Sequence, residues 1–386
     1  MKDLIIYGAF DRYNYGDNLM PLLFELYLNR SYSHLLDEYH IKFAAINKSD
    51  LSRYGCLKTE KFTSVVKSAN RGSVIVIIGG EVVGSTKESL LLHSFENPLI
   101  YKIVARLKWD YPKIYNIVSR VLFHNVARYP YMPCIKDIPN IFNTVGGRFV
   151  GEKNTENQMY RSLKNSLFIS TRDKRTQDSM KSFVEARIAP DSVFIISSLI
   201  SDEFLCSKIQ SELISLKNEQ YAVFQCSPLK IQEDHQVISQ AIKLIYEKFG
   251  TKVILLPIGY ASGHDDFDIL SEIHELLPNE TRLLYELTVW EIMYVIKQSS
   301  IFYGTSLHGI ITAMAFSVPH FAINPSIEKL KAFIEDWTIA PFNKAIKLNE
   351  VKKTLYEAYD ADELKSNSTR LSELVNEHYT SLFSKL

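Results

Sequence analysis

Residues 4–26 read LIIYGAFDRYNYGDNLMPLLFEL. The first four are apolar and suit a strand buried on both faces. Glycine at position 8 then opens a loop, after which Leu19, Leu22, Leu23 and Leu26 recur at the spacing of one helix face. A buried strand that runs through a glycine corner into an amphipathic helix is half of a strand-helix-strand unit. The stretch therefore commits the chain to an α/β fold with a mainly parallel sheet.

The same alternation continues outward in two series. In the first half, strands are expected at residues 4–7, 74–78, 141–145, 167–169 and 193–196, four of which stop at glycine, polar or small residues. In the second half they are expected at 221–225, 252–257, 281–284, 300–303 and 320–323, with helices such as 236–249 between them. Residues 202–219 are charged, helical in pattern and free of strand character, which puts a boundary between the two series at 200–218. Past Pro325 the chain reads as helix, with Ile327, Leu330, Phe333 and Ile334 on one face and Val351, Leu355 and Tyr359 continuing it. Two domains are also what 386 residues predict, since a single core seldom organises so long a chain.

Composition narrows the function classes. Apolar residues make up 46% and charged residues 23%, which is ordinary for a globular chain and argues against long disorder. Lysine plus arginine equals aspartate plus glutamate at 44 each, so no overall field favours nucleic acid or an anionic membrane. Cys56, Cys134, Cys206 and Cys226 lie far apart without a CxxC pair, spelling out neither a zinc ribbon nor a dithiol and fitting a reducing cytoplasm. The start, MKDLIIYGAF, meets glycine too early for a signal-peptide core, and no apolar run reaches the about 18 residues of a membrane span.

Residues 98–133 differ from the rest. Lys102, Arg106, Lys108, Lys113, Arg120 and Arg128 alternate with aromatics, and Asp110 is the only acid. Ile114, Ile117, Val118, Val121 and Leu122 share a helix face, which suits either a helix packed on its own domain or a basic amphipathic helix on a membrane surface carrying a lipid-linked acceptor.

Four of five motifs fall just after strands, where α/β folds place chemistry, and one, Pro190-Asp191, precedes the strand expected at 193–196. The first, residues 8–18, carries Asn14, Gly16 and Asp17 but neither the dinucleotide glycine spacing nor a Walker lysine; Asp17 or Asn18 capping the helix is as good a reading as a ligand contact. The second is the corner Gly79-Gly80, which lets backbone approach a ligand. Third, Arg172 and Asp173 follow the strand at 167–169, where a guanidinium can grip a carboxylate or phosphate with two hydrogen bonds, or simply pair with Asp173 at a helix start. Asp191, after Pro190, fixes a turn. The last, Gly304-Thr305-Ser306-Leu307-His308-Gly309, sets His308 at a helix N-terminus among small hydroxyl residues, a placement suited to general acid catalysis. His264-Asp265-Asp266 reads either as a cation site or, more simply, as a loop and helix start.

Taken in order, Asn14-Tyr15-Gly16-Asp17, Gly79-Gly80, Arg172-Asp173, Pro190-Asp191 and Ser306-Leu307-His308-Gly309 resemble the polysaccharide pyruvyltransferase family, across nearly the whole chain. The resemblance implies a GT-B-like architecture: two Rossmann-like domains, here 1–205 and 206–325, facing across a cleft, with C-terminal helices over 326–386 bracing them. It implies phosphoenolpyruvate as donor and co-substrate, no other cofactor, no metal, and as acceptor a sugar of a capsule, exopolysaccharide or wall-polymer precursor, made into a cyclic pyruvate ketal. Under it His308 is the catalytic acid. Arg172, Thr305, Ser306, Gly309, Asn14, Gly16 and Asp17 bind the donor, while Gly79, Gly80, Asp173 and Asp191 shape the cleft. The chain departs from the family at Ser306, where an arginine is common, leaving Arg148 and Lys174 as alternative replacements for that cation. The competing readings are a nucleotide-sugar glycosyltransferase on the shared two-domain frame and a catalytically weakened glycan-binding protein.

Overall fold

The computed structural model describes residues 1–92, 98–149, 157–260 and 265–386. Two sheets organise them, and every strand pair within each is parallel.

The first sheet contains β1 (Lys2–Tyr7), β2 (Tyr39–Ala45), β3 (Glu60–Lys61), β4 (Val74–Ile78), β5 (Glu81–Val83), β6 (Asn140–Gly147), β7 (Ser166–Thr171) and β8 (Arg187–Ile188). Their order is β3-β2-β1-β4-β6-β7-β8, with β5 paired beside β6. The second contains β9 (Ala222–Gln225), β10 (Val253–Leu255), β11 (Thr281–Leu283), β12 (Ile301–Gly304) and β13 (His320–Ala322), in the order β11-β10-β9-β12-β13.

Strand alternation sorts the apolar residues into three cores. Leu4, Ile6, Val74 and Val76 on one sheet and Val223, Ile254 and Phe302 on the other belong to one cluster between the sheets. Ile5, Tyr7, Ile75 and Ile77 face outward from the first sheet, and Phe224, Leu255 and Tyr303 outward from the second. The helices Tyr15–Ser31, Val289–Lys297 and Leu307–Ala315 fill the central layer, which explains why they are buried almost all round.

The long helix Ala361–Phe383 crosses this layer. Leu364 joins the outer core of the second sheet, and Ser368 donates to the Ala315 carbonyl. Farther along, the Tyr379 ring stacks on Tyr27, His378 meets Asn143 of β6 at 2.7 Å, and Tyr39 of β2 donates to the Leu386 carbonyl.

Several sequence expectations are corrected. Residues 193–196 form no strand: Ser192–Ile195 is a 3-10 turn running into the short helix Ile196–Leu199. Asp191 causes this by accepting the Val193 amide and folding the chain back. Because the run is buried on every side, its apolar pattern cannot distinguish strand from helix. Strand β2 was not expected, since His40 and Lys42 interrupt its apolar run. The helix at the end of β1 is capped by Asn14, not by Asp17 or Asn18.

Candidate active site

The carboxyl ends of the two sheets face each other across a cavity of about 160 Å³. Its walls include Arg12, Asn14, Asp17, Gly80, Glu81 and Arg172 from the first half, and Lys230, Ser306, His308 and Lys329 from the second. Tyr15 ties the halves together, its amide donating to the Ile258 carbonyl and its hydroxyl meeting Thr312 at 2.9 Å.

His308 stands in the first turn of the helix Leu307–Ala315, whose N-cap is Ser306. Gln225, at the end of neighbouring β9, holds the loop before it: its Oε1 accepts the Thr305 and Ser306 amides at 3.1 and 2.9 Å. The Gln225 Nε2 donates to Asp266 at 2.8 Å, so a buried chain of polar groups fixes the loop from behind. The imidazole lies over Gly16, where a Cβ would come within 1.8 Å of Nδ1. Glycine is required there for close approach, not for an unusual backbone angle.

The other edge of the ring faces Asp191, with His308 Nε2 at 3.6 Å from Oδ2. Asp191 is fully buried, accepts the Val193 amide, and receives Arg172 Nη1 at 3.2 Å. Burial pushes its carboxyl up, but His308, Arg172 and the Val193 amide outweigh that and hold it below the usual range. A strained residue helps to place it: Thr144 in β6 has φ +44°, and its hydroxyl accepts the amide of Ser192.

Arg172 is 1% exposed, with Nη2 on Glu81 at 3.1 Å and Nε 3.9 Å from Asp173. Trp337 donates to its carbonyl at 2.7 Å. Its guanidinium thus reaches the cavity wall already gripped by two carboxylates. Gly80 lets it do so, a Cβ there falling 3.3 Å from Nη1. Burial drives the Glu81 carboxyl up, yet Arg172, Lys329 and Arg175 bring it below its ordinary value.

The opposite wall is different. Lys230 and Lys329 point into the cavity, and their ammonium groups make no hydrogen bond or ion pair among the described residues. Burial lowers both lysines, Lys329 to about 8 with help from the charge of Lys230. Asp266, behind Lys230, is pushed up to about 7 by burial.

Of the residues expected from sequence, Asn14, Asp17, Gly80, Arg172, Ser306 and His308 line this cavity, and Gly16 lies beneath the histidine. Thr305 and Gly309 do not. The Thr305 hydroxyl accepts the Ser227 amide inside the protein, and Gly309 packs against the Phe302 ring. Asp173 caps the helix Lys174–Met180, and Gly79 forms the turn after β4 at φ +158°.

Neither expected replacement for the missing arginine reaches the cavity. Arg148 is exposed beside Val83, and Lys174 pairs with Asp336 on the surface. Lys230 and Lys329 supply the charge instead. Lys230 lies in the loop past the carboxyl end of β9 and Lys329 in the first turn of the helix Glu328–Trp337 that follows β13; position beyond a strand's carboxyl end is the one sequence signal that points to them. His264 lies outside the described residues; Asp265 caps the helix Asp266–Leu276. Among the described residues no group of three potential ligands could hold a metal ion.

Comparison with known proteins gives the family and the fold. A model of the polysaccharide pyruvyl transferase family matches residues 14–327. No curated protein matches in sequence. Similar solved structures include MnaA of S. aureus with UDP (10% identity, 100% of this chain and 98% of that one, TM-score 0.57). Others are Anabaena HepE with UDP-glucose (11%, 100% and 100%, 0.53) and the UDP-GlcNAc 2-epimerase of Neisseria meningitidis (9%, 97% and 94%, 0.52). At such identities the likeness establishes the fold, which is GT-B-like.

Proposed function

The chain belongs to the polysaccharide pyruvyl transferase family, a family of transferases, and from that premise we propose that it moves the pyruvyl unit of phosphoenolpyruvate onto a sugar of a cell-surface polysaccharide or its precursor. One observation carries the donor assignment: two lysines without partners among the described residues line a small cavity together with a histidine. The donor's carboxylate and phosphate match that pair of positive charges, and the N-terminus of the helix Tyr15–Ser31 adds a third anion-attracting group.

In the proposed reaction His308 gives a proton to the donor's methylene carbon, leaving the adjacent carbon an oxocarbenium-like electrophile. A sugar hydroxyl attacks that carbon and loses its proton as the carbon–oxygen bond forms. The bond to phosphate breaks and phosphate departs. A second hydroxyl of the same sugar then closes the cyclic ketal, losing its proton in turn. Asp191 orients the imidazole throughout, and Arg172 holds Asp191 in place. Lys230 and Lys329 stabilise the charge that collects on the leaving phosphate.

Calorimetric titration of the protein with phosphoenolpyruvate, and in parallel with UDP-glucose and UDP-GlcNAc, tests the donor. Saturable phosphoenolpyruvate binding that weakens in Lys329→Met supports the assignment. Binding of the nucleotide sugars alone would make the donor a nucleotide sugar and reject it.

A further inference from the structure

The cavity leaves one conspicuous part of the molecule unexplained. Among the described residues, nine of the sixteen exposed large hydrophobic side chains lie between positions 99 and 122. They sit on two helices that pack on each other, Pro98–Asp110 and Pro112–Leu122, joined at Tyr111.

The second helix is turned against the usual rule. Its inward contacts are few: Tyr115 is buried and donates to the Glu88 carbonyl at 2.5 Å, and Ser119 is buried beside it. Its outward face is the apolar one. Ile114, Ile117 and Val121 are 50%, 60% and 66% exposed, in one stripe at helical spacing. Lys113 and Arg120 flank that stripe, and Trp109, 78% exposed, extends it from the first helix.

Charge selects the occupant. From 98 to 122 the segment has five cations (Lys102, Arg106, Lys108, Lys113, Arg120) and one acid, Asp110, already paired with Arg106 at 3.1 Å. Five minus one leaves a local charge of +4 on a chain whose total is +0. A second copy meeting the same face would bring equal charge against it. An anionic lipid surface meets both demands, taking the apolar stripe among its acyl chains and the cations at its headgroups.

We infer that residues 98–122 form a helical hairpin that docks the protein on an anionic membrane. No helix among the described residues is long and apolar enough to cross a membrane, so the hairpin lies in the interface. Its footing gives the docking a consequence. Tyr115 and Lys87 fasten it to the helix Lys87–Leu91, and Leu90 of that helix is part of the cavity wall. The membrane thereby comes to lie beside the cavity, where an amphipathic acceptor embedded in it is within reach.

The test uses the full chain and vesicles of phosphatidylcholine, alone or mixed with phosphatidylglycerol. Co-sedimentation is expected only with phosphatidylglycerol present and is expected to weaken with salt. Trp109 emission should shift to the blue on binding, and Trp109→Phe should remove the shift. Lys113→Gln and Arg120→Gln should each weaken binding about fivefold. Ile114→Glu with Ile117→Glu should abolish it while leaving the melting curve and phosphoenolpyruvate titration unchanged, since both side chains are exposed. Two results overturn the proposal: no preference for anionic vesicles, or a dimer in solution that the Ile114/Ile117 variant converts to monomer without any vesicle binding.

Discussion

The two walls of the cavity use their charges in opposite ways. On the first-sheet wall Arg172 is shared between Asp191 and Glu81, and Glu81 also receives Arg175 at 2.7 Å. On the second-sheet wall Lys230 and Lys329 have no such partners among the described residues. A buried network whose charges are matched is a scaffold, fixing what it touches; here that is His308. Unmatched cations lowered by burial are held ready for an anion that completes them. The contrast separates residues that build the site from residues that bind in it.

The largest way to break the contrast is Arg172→Ala. It leaves Asp191 buried without its cation, a loss of about 3–5 kcal/mol by analogy with other buried pairs. Urea denaturation should read this as a lower midpoint at an unchanged slope. A variant as stable as the parent would mean that the network is not structural.

Gly16→Ala probes the scaffold from its other side. The added methyl would overlap the imidazole of His308 and push the ring off Asp191. Displacement of this size costs on the order of 100-fold in turnover, measured as phosphate release once an acceptor is supplied, with donor affinity far less affected. Equal losses in both would place Gly16 in donor binding instead.

The lysines should behave in the reverse manner. Lys329→Met removes one charge-assisted contact to the donor and should weaken phosphoenolpyruvate binding roughly 10- to 100-fold by calorimetry. Stability should hold or rise, because a half-buried charge without a partner is removed. In the parent chain, donor affinity should fall as pH climbs through about 8, where Lys329 loses its proton, and Lys329→Met should flatten that limb of the profile.

This division of labour explains what could be read in the sequence. The parallel sheets, the glycine corners and His308 follow from local pattern, because strand alternation, glycine and a helix start are properties of neighbouring residues. The scaffold was half legible: Arg172 and Asp173 stood out after a strand and Asp191 at a proline turn, but their partner Glu81 lies 91 positions from Arg172 and drew no notice. The binding cations were not legible. Lys230 and Lys329 look like any surface lysine until the fold brings a loop and a helix start together, and Ser306 drew attention to Arg148 and Lys174 instead. The resemblance implies donor contacts for Thr305 and Gly309, whereas the fold turns the Thr305 hydroxyl to the Ser227 amide and sets Gly309 against the Phe302 ring.

The last test concerns Asp266, which stands between the two kinds of wall. It accepts Gln225, and so supports the loop that carries Ser306, yet it also faces Lys230. Burial raises it from about 3.8 when unfolded to about 7 when folded. Below the lower value both states hold the proton and stability is unaffected. Between the two the unfolded chain ionises first, so stability declines as pH rises, and the loss is complete above about 7. Asp266→Asn keeps the shape and should remove that slope, leaving denaturation midpoints level across the interval. Should the slope survive the substitution unchanged, groups other than Asp266 carry it, and Asp266 is not held protonated in the folded chain.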